Sequence, residues 1–535
     1  MMKPRLIPLA VAAAALVSLA APPGAAQRPR PRTVAPAEPA IQAGPLGGLD
    51  AYIENALRRW EIPGLAIAVV KDDSVVYARG FGVRELGRAE RVDENTLFAV
   101  GSTTKAFTAA LVGMLVDSNR VRWEDPVTRH LPWFQLYDPY VTREMTLRDL
   151  LCHRSGLTRA DGLWYASGLS RDEIVRRMRF HRPRWSFRSR YGYQNIMFLA
   201  AGQAVAAVTG RSWDQVIRER LLVPLGMTRT TTSTSSLAGM DNVATPHARI
   251  QGQVRTVAWR NLDNAGPAGS INSSVRDMAQ WVRLNLAGGV YAGRRLLSQA
   301  VVREMQSPQM VIGSSQRVDS IYPEIHMRAY GLGWVINDYR GRKVVSHGGA
   351  IDGMRAQVGL LPEERLGVVV LANGSDASTL NVALMYRVFD AFTGGVRRDW
   401  SADLLADLRW NRQRADSISR ARDSARVRGT EPSASLGAYT GRWLDSLYGE
   451  AAITEENGGL VARYGSLIGD LEHWHYNVFR VVWRDPIVGR SFVSFDMDLR
   501  GRPHRVTIRD DEEDLDPMVF ERAAEPPGPG RAAGR

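Results

Sequence analysis

The sequence predicts an α+β fold: an antiparallel sheet flanked by helices plus a helical lobe, followed by a small all-β, barrel-like domain. Strand-like runs both open and close the main domain, and the stretch between them is mostly helical. A second set of short strand-like runs follows a charged segment nearer the C-terminus. Regular strand–helix alternation is lacking, which disfavours a doubly wound parallel sheet. The 535 residues are 44% hydrophobic and 23% charged, too apolar for a disordered chain and, at ~150 residues per domain, too long for one ordinary domain.

Residues 1–26 carry Lys3 and Arg5, an apolar run over 6–21 and the small residues Gly24, Ala25 and Ala26. Those are the charged, apolar and cleavage regions of a secretory signal peptide, so an exported protein, periplasmic or secreted, is expected. An uncleaved anchor is the competing reading; the run contains Pro8 and is shorter than the ~20 apolar residues a spanning helix needs. No later stretch is long and apolar enough to span a bilayer, so no membrane span is expected after cleavage. Residues 27–45, rich in Pro, Ala and Arg, read as a flexible leader.

The main domain is expected over 46–395. Residues 49–59 have helical spacing, and 64–71 and 74–81 are β-branched runs joined by Asp72-Asp73, a hairpin signal. Helical patterns follow at 105–116, 148–151, 171–178, 195–208, 213–222 and 275–286, and strand-like runs at 333–339, 343–346, 356–361 and 366–372. Residues 396–434 read as a charged linker or edge helix. Seven short strands are then expected within 435–524, at 441–443, 450–454, 460–464, 478–483, 492–499, 505–508 and 518–521. The tail, 525–535, reads as disordered.

The net charge of +13 does not indicate nucleic acid, because only Lys3, Lys71, Lys105 and Lys343 are lysine and the arginines are spread without a basic block. The single cysteine, Cys152, excludes a disulfide framework and zinc sites of the Cys₂ or Cys₄ type. His473-Trp474-His475 could place two imidazoles on one strand face, but no third ligand is evident, so no metal is assigned. His153 reads as a satisfied structural histidine and the acids of 510–514 as a solvated loop. No Gly-x-Ser-x-Gly occurs, which removes the nucleophile elbow of the α/β-hydrolases.

Ser102 and Lys105 carry the chemical signal. If a helix begins near Ser102, the amine lies one turn from the hydroxyl. A serine hydroxyl needs a neighbouring base, and lysine can be that base if burial or nearby charge lowers its pKa. Alone the pair is equally a capped helix start with an exposed lysine. Two further patterns add weight: Tyr193-x-Asn195 directly before an apolar helix, and His347-Gly348-Gly349 ending an expected strand.

In this order the three elements resemble the active-site motifs of the serine β-lactamase and penicillin-binding-protein superfamily, closest to the class C β-lactamase and D-peptidase branch. The resemblance covers residues 49–392 and extends to the segments 150–157, 224–227, 266–270 and 330–334. The C-terminal module is similar to the lipocalin-like β-domain that follows this hydrolase domain in some members.

The resemblance implies an acyl-enzyme formed on Ser102, with Lys105 taking the hydroxyl proton directly or through Tyr193. Tyr193 would protonate the leaving group and help activate the deacylating water, which requires a phenol pKa lowered by nearby cations. Asn195 would hold the lysine and a substrate amide, His347, Gly348 and Gly349 would line the substrate, and the N–H groups of Ser102 and Ala350 would hold the oxyanion. No cofactor is implied. Class C β-lactamases place lysine where this chain has His347, so a group titrating near neutrality replaces a permanent cation, a departure that leans toward D-peptidases. The segment 182–190 is more cationic than in many relatives. The expected function is exported hydrolysis of an amide or ester in a D-amino-acid peptide or small ester. A class C-type β-lactamase and a penicillin-binding-like sensor or scaffold with little turnover stay open. The partner is a small-molecule or peptide substrate, with cell-wall peptide a candidate; the role of the β-module and the oligomeric state are open.

Overall fold

Helix α1 (Leu49–Trp60) leads into the hairpin of β1 (Gly64–Lys71) and β2 (Ser74–Gly82). Asp72 and Asp73 both take positive φ (49° and 65°), as a two-residue hairpin turn requires. This is a computed structural model; it describes residues 44–395, 398–510 and 516–524. The expected signal segment 1–26, the leader up to 43, the acidic run from 511 to 514 and the tail lie outside the described residues.

The remaining strands of the main sheet come from far along the chain: β3 (Met310–Val311), β4 (Arg328–Tyr330), β5 (Val335–Tyr339), β6 (Arg342–Ile351), β7 (Met354–Leu361) and β8 (Leu366–Ala372). Their order is β2-β1-β8-β7-β6-β5-β4-β3, antiparallel throughout. β1 pairs with β8 from Leu65↔Ala372 to Lys71↔Leu366, so the two ends of the domain meet inside the sheet, one strand in from its β2 edge. Both faces are covered, which explains the unbroken apolar runs of these two strands. Leu65, Ile67 and Val69 face one core with Val368 and Val370, under α1 and α5 (Ala377–Thr393). Ala66, Ala68 and Val70 face the other, with Val369 and Leu371. That second core receives α2 (Thr104–Asp117), α3 (Asn195–Thr209) and α4 (Val275–Leu286). The first turns of α2 and α3 are buried on every side, Lys105 and Asn195 included.

Two sequence expectations are corrected here. The strand expected to end at Ser346 continues as β6 through His347-Gly348-Gly349 to Ile351, because this stretch lies directly against the turn before α2 and only glycine fits there. β3 and β4, at two and three residues, were too short to show a period.

Helix α6 (Trp400–Ser424) follows the main domain. Trp400 is fully buried, stacked on Tyr386 (ring centroids 4.8 Å apart) and donating its indole N–H to Asp390 Oδ2 at 2.8 Å. At the other end Asp423 pairs with Arg490 of the C-terminal module (3.3 Å). That module is a closed eight-stranded barrel, each strand antiparallel to the next, with Gly441–Asp445 closing on Met518–Arg522 through Trp443↔Arg522 and Leu444↔Glu521. Closure removes exposed edges. The strand that completes the expected seven is Leu467–His475, whose alternation is interrupted by Gly469 in an inward slot and by a register shift between His473 and His475.

Candidate active site

The turn Gly101–Thr103 presents Ser102 just before α2. Gly101 has φ +52°, and a Cβ there would lie 2.8 Å from the Ala350 nitrogen on β6. A Cβ on Gly349 would lie 1.9 Å from the Val100 carbonyl oxygen and 3.2 Å from the Ser102 nitrogen. These close approaches set β6 against the serine turn with the backbone nitrogens of Ser102 and Ala350 at the contact. Along β6, Gly348 and Ala350 are exposed while His347 and Gly349 are buried, so the strand offers its alternate residues to the cleft.

Lys105 is wholly buried. Its Nζ lies 2.9 Å from Ser102 Oγ and 2.9 Å from the carbonyl oxygen of Ala268. The turn Gly266–Gly269 that supplies this carbonyl is tied to α2 by Thr108 Oγ1 donating to Pro267 O (2.7 Å). Burial drives the amine well below the usual lysine range, the Arg159 guanidinium adds to the effect, and Asp161 opposes it. A neutral amine 2.9 Å from the hydroxyl accepts its proton; an ammonium could not.

Tyr193 sits beside this pair, its ring centroid 4.9 Å from Lys105 Nζ and its hydroxyl near enough to Ser102 for the serine to favour the phenolate. The expectation of a lowered phenol pKa is corrected. Burial pushes Tyr193 up to about 12, outweighing the Ser102 hydrogen bond and Arg159, whose guanidinium lies 5.2 Å from the ring. The resting phenol keeps its proton.

His347 also differs from the expectation. Burial, with Lys105 nearby, pushes it down to about 3, so it is neutral at physiological pH. Its Nδ1–H donates to Gly348 O at 2.6 Å, and Nε2 accepts from the Tyr330 hydroxyl at 2.7 Å. It cannot replace the cation that its position would carry in a class C enzyme. Asn195 lies at the start of α3, but among the described residues Lys105 takes Ser102 and Ala268 as partners rather than Asn195. The Asn195 amide N–H goes instead to Asp161 Oδ1 at 3.0 Å.

Three more residues surround the site without having been singled out for it. Asp161 and Arg159 follow the segment 150–157 in a loop without periodicity, and no spacing ties them to Asn195. Tyr330, on β4, opens the segment 330–334, whose resemblance to the family assigns it no role in the site. His153 is half satisfied: Nδ1 accepts from the Gln194 N–H (3.0 Å), while Nε2 has no partner among the described residues. Its ring lies 4.1 Å from Tyr193 and 4.5 Å from Tyr330. Burial pushes the Cys152 thiol up to about 12, which keeps it unreactive. His473 and His475 are hydrogen-bonded to backbone at Tyr476 and Val427.

Fold and site together define a serine hydrolase with a helix-borne lysine beside the serine. The chain belongs to the Beta-lactamase family, whose model matches residues 49–391. A second model, described as a domain of unknown function (DUF3471), matches residues 425–522, which contain the barrel. Among curated relatives, the unguisins hydrolase ungD of Aspergillus violaceofuscus (strain CBS 115571) is 31% identical over 393 residues, covering 68% of each chain. The octameric penicillin-binding protein homologue from Pyrococcus abyssi shares the fold with a TM-score of 0.58 at 20% identity, over 89% of this chain and 100% of that one. A D-stereospecific amidohydrolase from Streptomyces sp. does so with a TM-score of 0.52 at 23% identity, over 65% of this chain and 99% of that one.

Proposed function

We propose that this hydrolase is exported and cleaves an amide or ester bond through an acyl-enzyme on Ser102, with D-amino-acid peptides or small esters as its substrates. One observation carries the reading: a wholly buried Lys105 amine 2.9 Å from Ser102 Oγ, its pKa driven well down by burial. In the first step Ser102 Oγ bonds to the substrate carbonyl carbon while its proton passes to Lys105. The negative charge that develops on the carbonyl oxygen meets the N–H groups of Ser102 and Ala350. The leaving amine or alcohol departs with a proton from the Lys105 ammonium, delivered directly or across the Tyr193 hydroxyl. A water then attacks the ester carbon, its proton returns along the same route, and Ser102 is released. Asn195 and Gly348 line the path of the substrate, while Gly349 faces the serine turn. Neutral His347 offers no charge to the carboxylate of a β-lactam, which favours peptides and esters over that ring.

The test is a panel of D- and L-amino-acid amides, activated esters and a penicillin, run on the wild type and on Ser102→Ala, with intact-protein mass read after brief exposure. Turnover of a D-amide or ester, with an acyl-sized adduct absent from Ser102→Ala, is the expected result. Turnover of the penicillin alone would move the reading to a β-lactamase, and turnover that survives Ser102→Ala would overturn it. Export is tested by the N-terminus of the protein recovered outside the cytoplasm, expected at Gln27.

A further inference from the structure

The loop 158–167 walls the active site and is gripped by the C-terminal barrel. Asp161 sits at its centre. Its Oδ1 accepts from Asn195 Nδ2 (3.0 Å) and from the Trp164 indole N–H (2.7 Å), and its Oδ2 accepts from Arg159 Nε (2.6 Å). Burial would raise this carboxyl, but Arg159, Asn195 and Trp164 outweigh it and hold Asp161 below the usual range, so it is charged. From the barrel, Tyr464 donates its hydroxyl to Gly162 O (2.9 Å), and Ser466 donates its backbone N–H to Ala166 O (2.8 Å). Met518 and Tyr448 pack so closely on Gly162 that an added Cβ would lie 3.1 and 3.3 Å from them. A second tether runs through Arg260, which donates to Asp352 (2.7 Å), to Tyr165 (3.0 Å) and to Asp485 of the barrel. Asp352 directly follows β6, the strand carrying His347 and Ala350. The barrel therefore touches both walls of the cleft.

We propose that Asp161 is a positioning residue that aims Asn195 and holds Arg159 over Tyr193, and that the C-terminal barrel is the clamp that keeps this loop in place. The proposal rests on the Ser102 acyl-enzyme reading for its catalytic meaning, but its geometry is testable without turnover. The charged and titratable groups facing Lys105 are Arg159, Asp161, Tyr193, His153 and His347. Of these only Arg159 and Asp161 are charged at neutral pH, and they act on the amine with opposite sign.

The experiment uses the full chain with lysine-selective isotope labelling. With so few lysines in the sequence, the Lys105 side chain is resolved by NMR and assigned by its loss in Lys105→Met. Asp161→Asn leaves Arg159 uncompensated and is expected to lower the Lys105 midpoint, whereas Arg159→Gln leaves Asp161 uncompensated and is expected to raise it, each by roughly half a pH unit or more. A merely structural role would not move the two in opposite directions. Tyr464→Phe removes one hydroxyl and is expected to speed amide hydrogen exchange over 159–167 at least tenfold, with the rest of the chain unchanged. Its effect on kcat is expected to be non-additive with Asp161→Asn. Midpoints that stay put or shift together overturn the role of Asp161, and unchanged exchange over 159–167 in Tyr464→Phe overturns the clamp. Loss of the acyl-enzyme reading is a separate result, seen as wild-type turnover that does not depend on Ser102.

Discussion

Gly349→Ala should disable the enzyme while leaving it folded, and Gly348→Ala, one residue away, should do little. At Gly349 the new methyl would lie 1.9 Å from the Val100 carbonyl oxygen, so regaining ordinary contact requires β6 and the turn before α2 to part by about 1.5 Å. Neither neighbour is a movable side-chain tip; both are backbone, and they carry the Ala350 and Ser102 N–H groups. Parting them takes one donor away from the developing oxyanion, a loss of about 10²–10³ in kcat, or ~3–4 kcal/mol. The overpacking itself costs roughly 1–3 kcal/mol of stability, which a chain of this size survives. At Gly348 the nearest atom to the new methyl is Gln357 Oε1 at 3.2 Å, a side-chain amide end that need give by only a few tenths of an ångström, with no backbone closer than 3.8 Å. The assay is the acylation rate with an activated ester, followed beside thermal melts of both variants. A Gly349→Ala enzyme within threefold of wild type, or a Gly348→Ala enzyme equally impaired, would refute the argument that β6 meets the serine turn through its backbone.

Lys105→Met should reduce turnover by about 10²–10⁴-fold yet raise the melting temperature. The folded state depresses this amine's pKa and so binds fewer protons than the unfolded chain below the usual lysine range, a stability penalty that the thioether does not carry. His347 is held down to about 3, so its ring signals should show no titration between pH 5 and 8. Because the unfolded imidazole gains its proton near pH 6.5, stability should fall as pH drops from about 6.5 toward about 3, with a shallower slope in His347→Gln; an unchanged slope would exclude His347 as a source. Trp400→Ala empties a site between Tyr322, Tyr386 and Tyr339 and leaves Asp390 without its indole donor. It should cost about 3–5 kcal/mol in urea unfolding, and a cost under ~1 kcal/mol would mean that α6 is not anchored there.

The pairing of Ser102 with Lys105 was readable because three residues along a helix start is a local distance, set by backbone geometry alone. The same holds for the Asp72-Asp73 hairpin and for the unbroken apolar runs of β1 and β8, which record burial on both faces. The continuation of β6 through Gly348 and Gly349 was not readable, since Gly349 is required by the Val100 carbonyl oxygen more than two hundred positions away in sequence. The protonation states were hidden for the same cause. Tyr193 keeps its proton and His347 stays neutral because distant segments exclude water from them, and burial outweighs the charges that motif spacing alone would have weighed. Asn195 turns to Asp161 through a loop held from the barrel, a contact between parts of the chain that share no period. Periodicity and spacing report what a residue does to its neighbours in sequence, and they found the helix, the sheet and the Ser102–Lys105 pair. Proton affinity and the aim of a side chain depend on what packs over it, and that is set when strands from both ends of the domain and a barrel beyond it close around one serine.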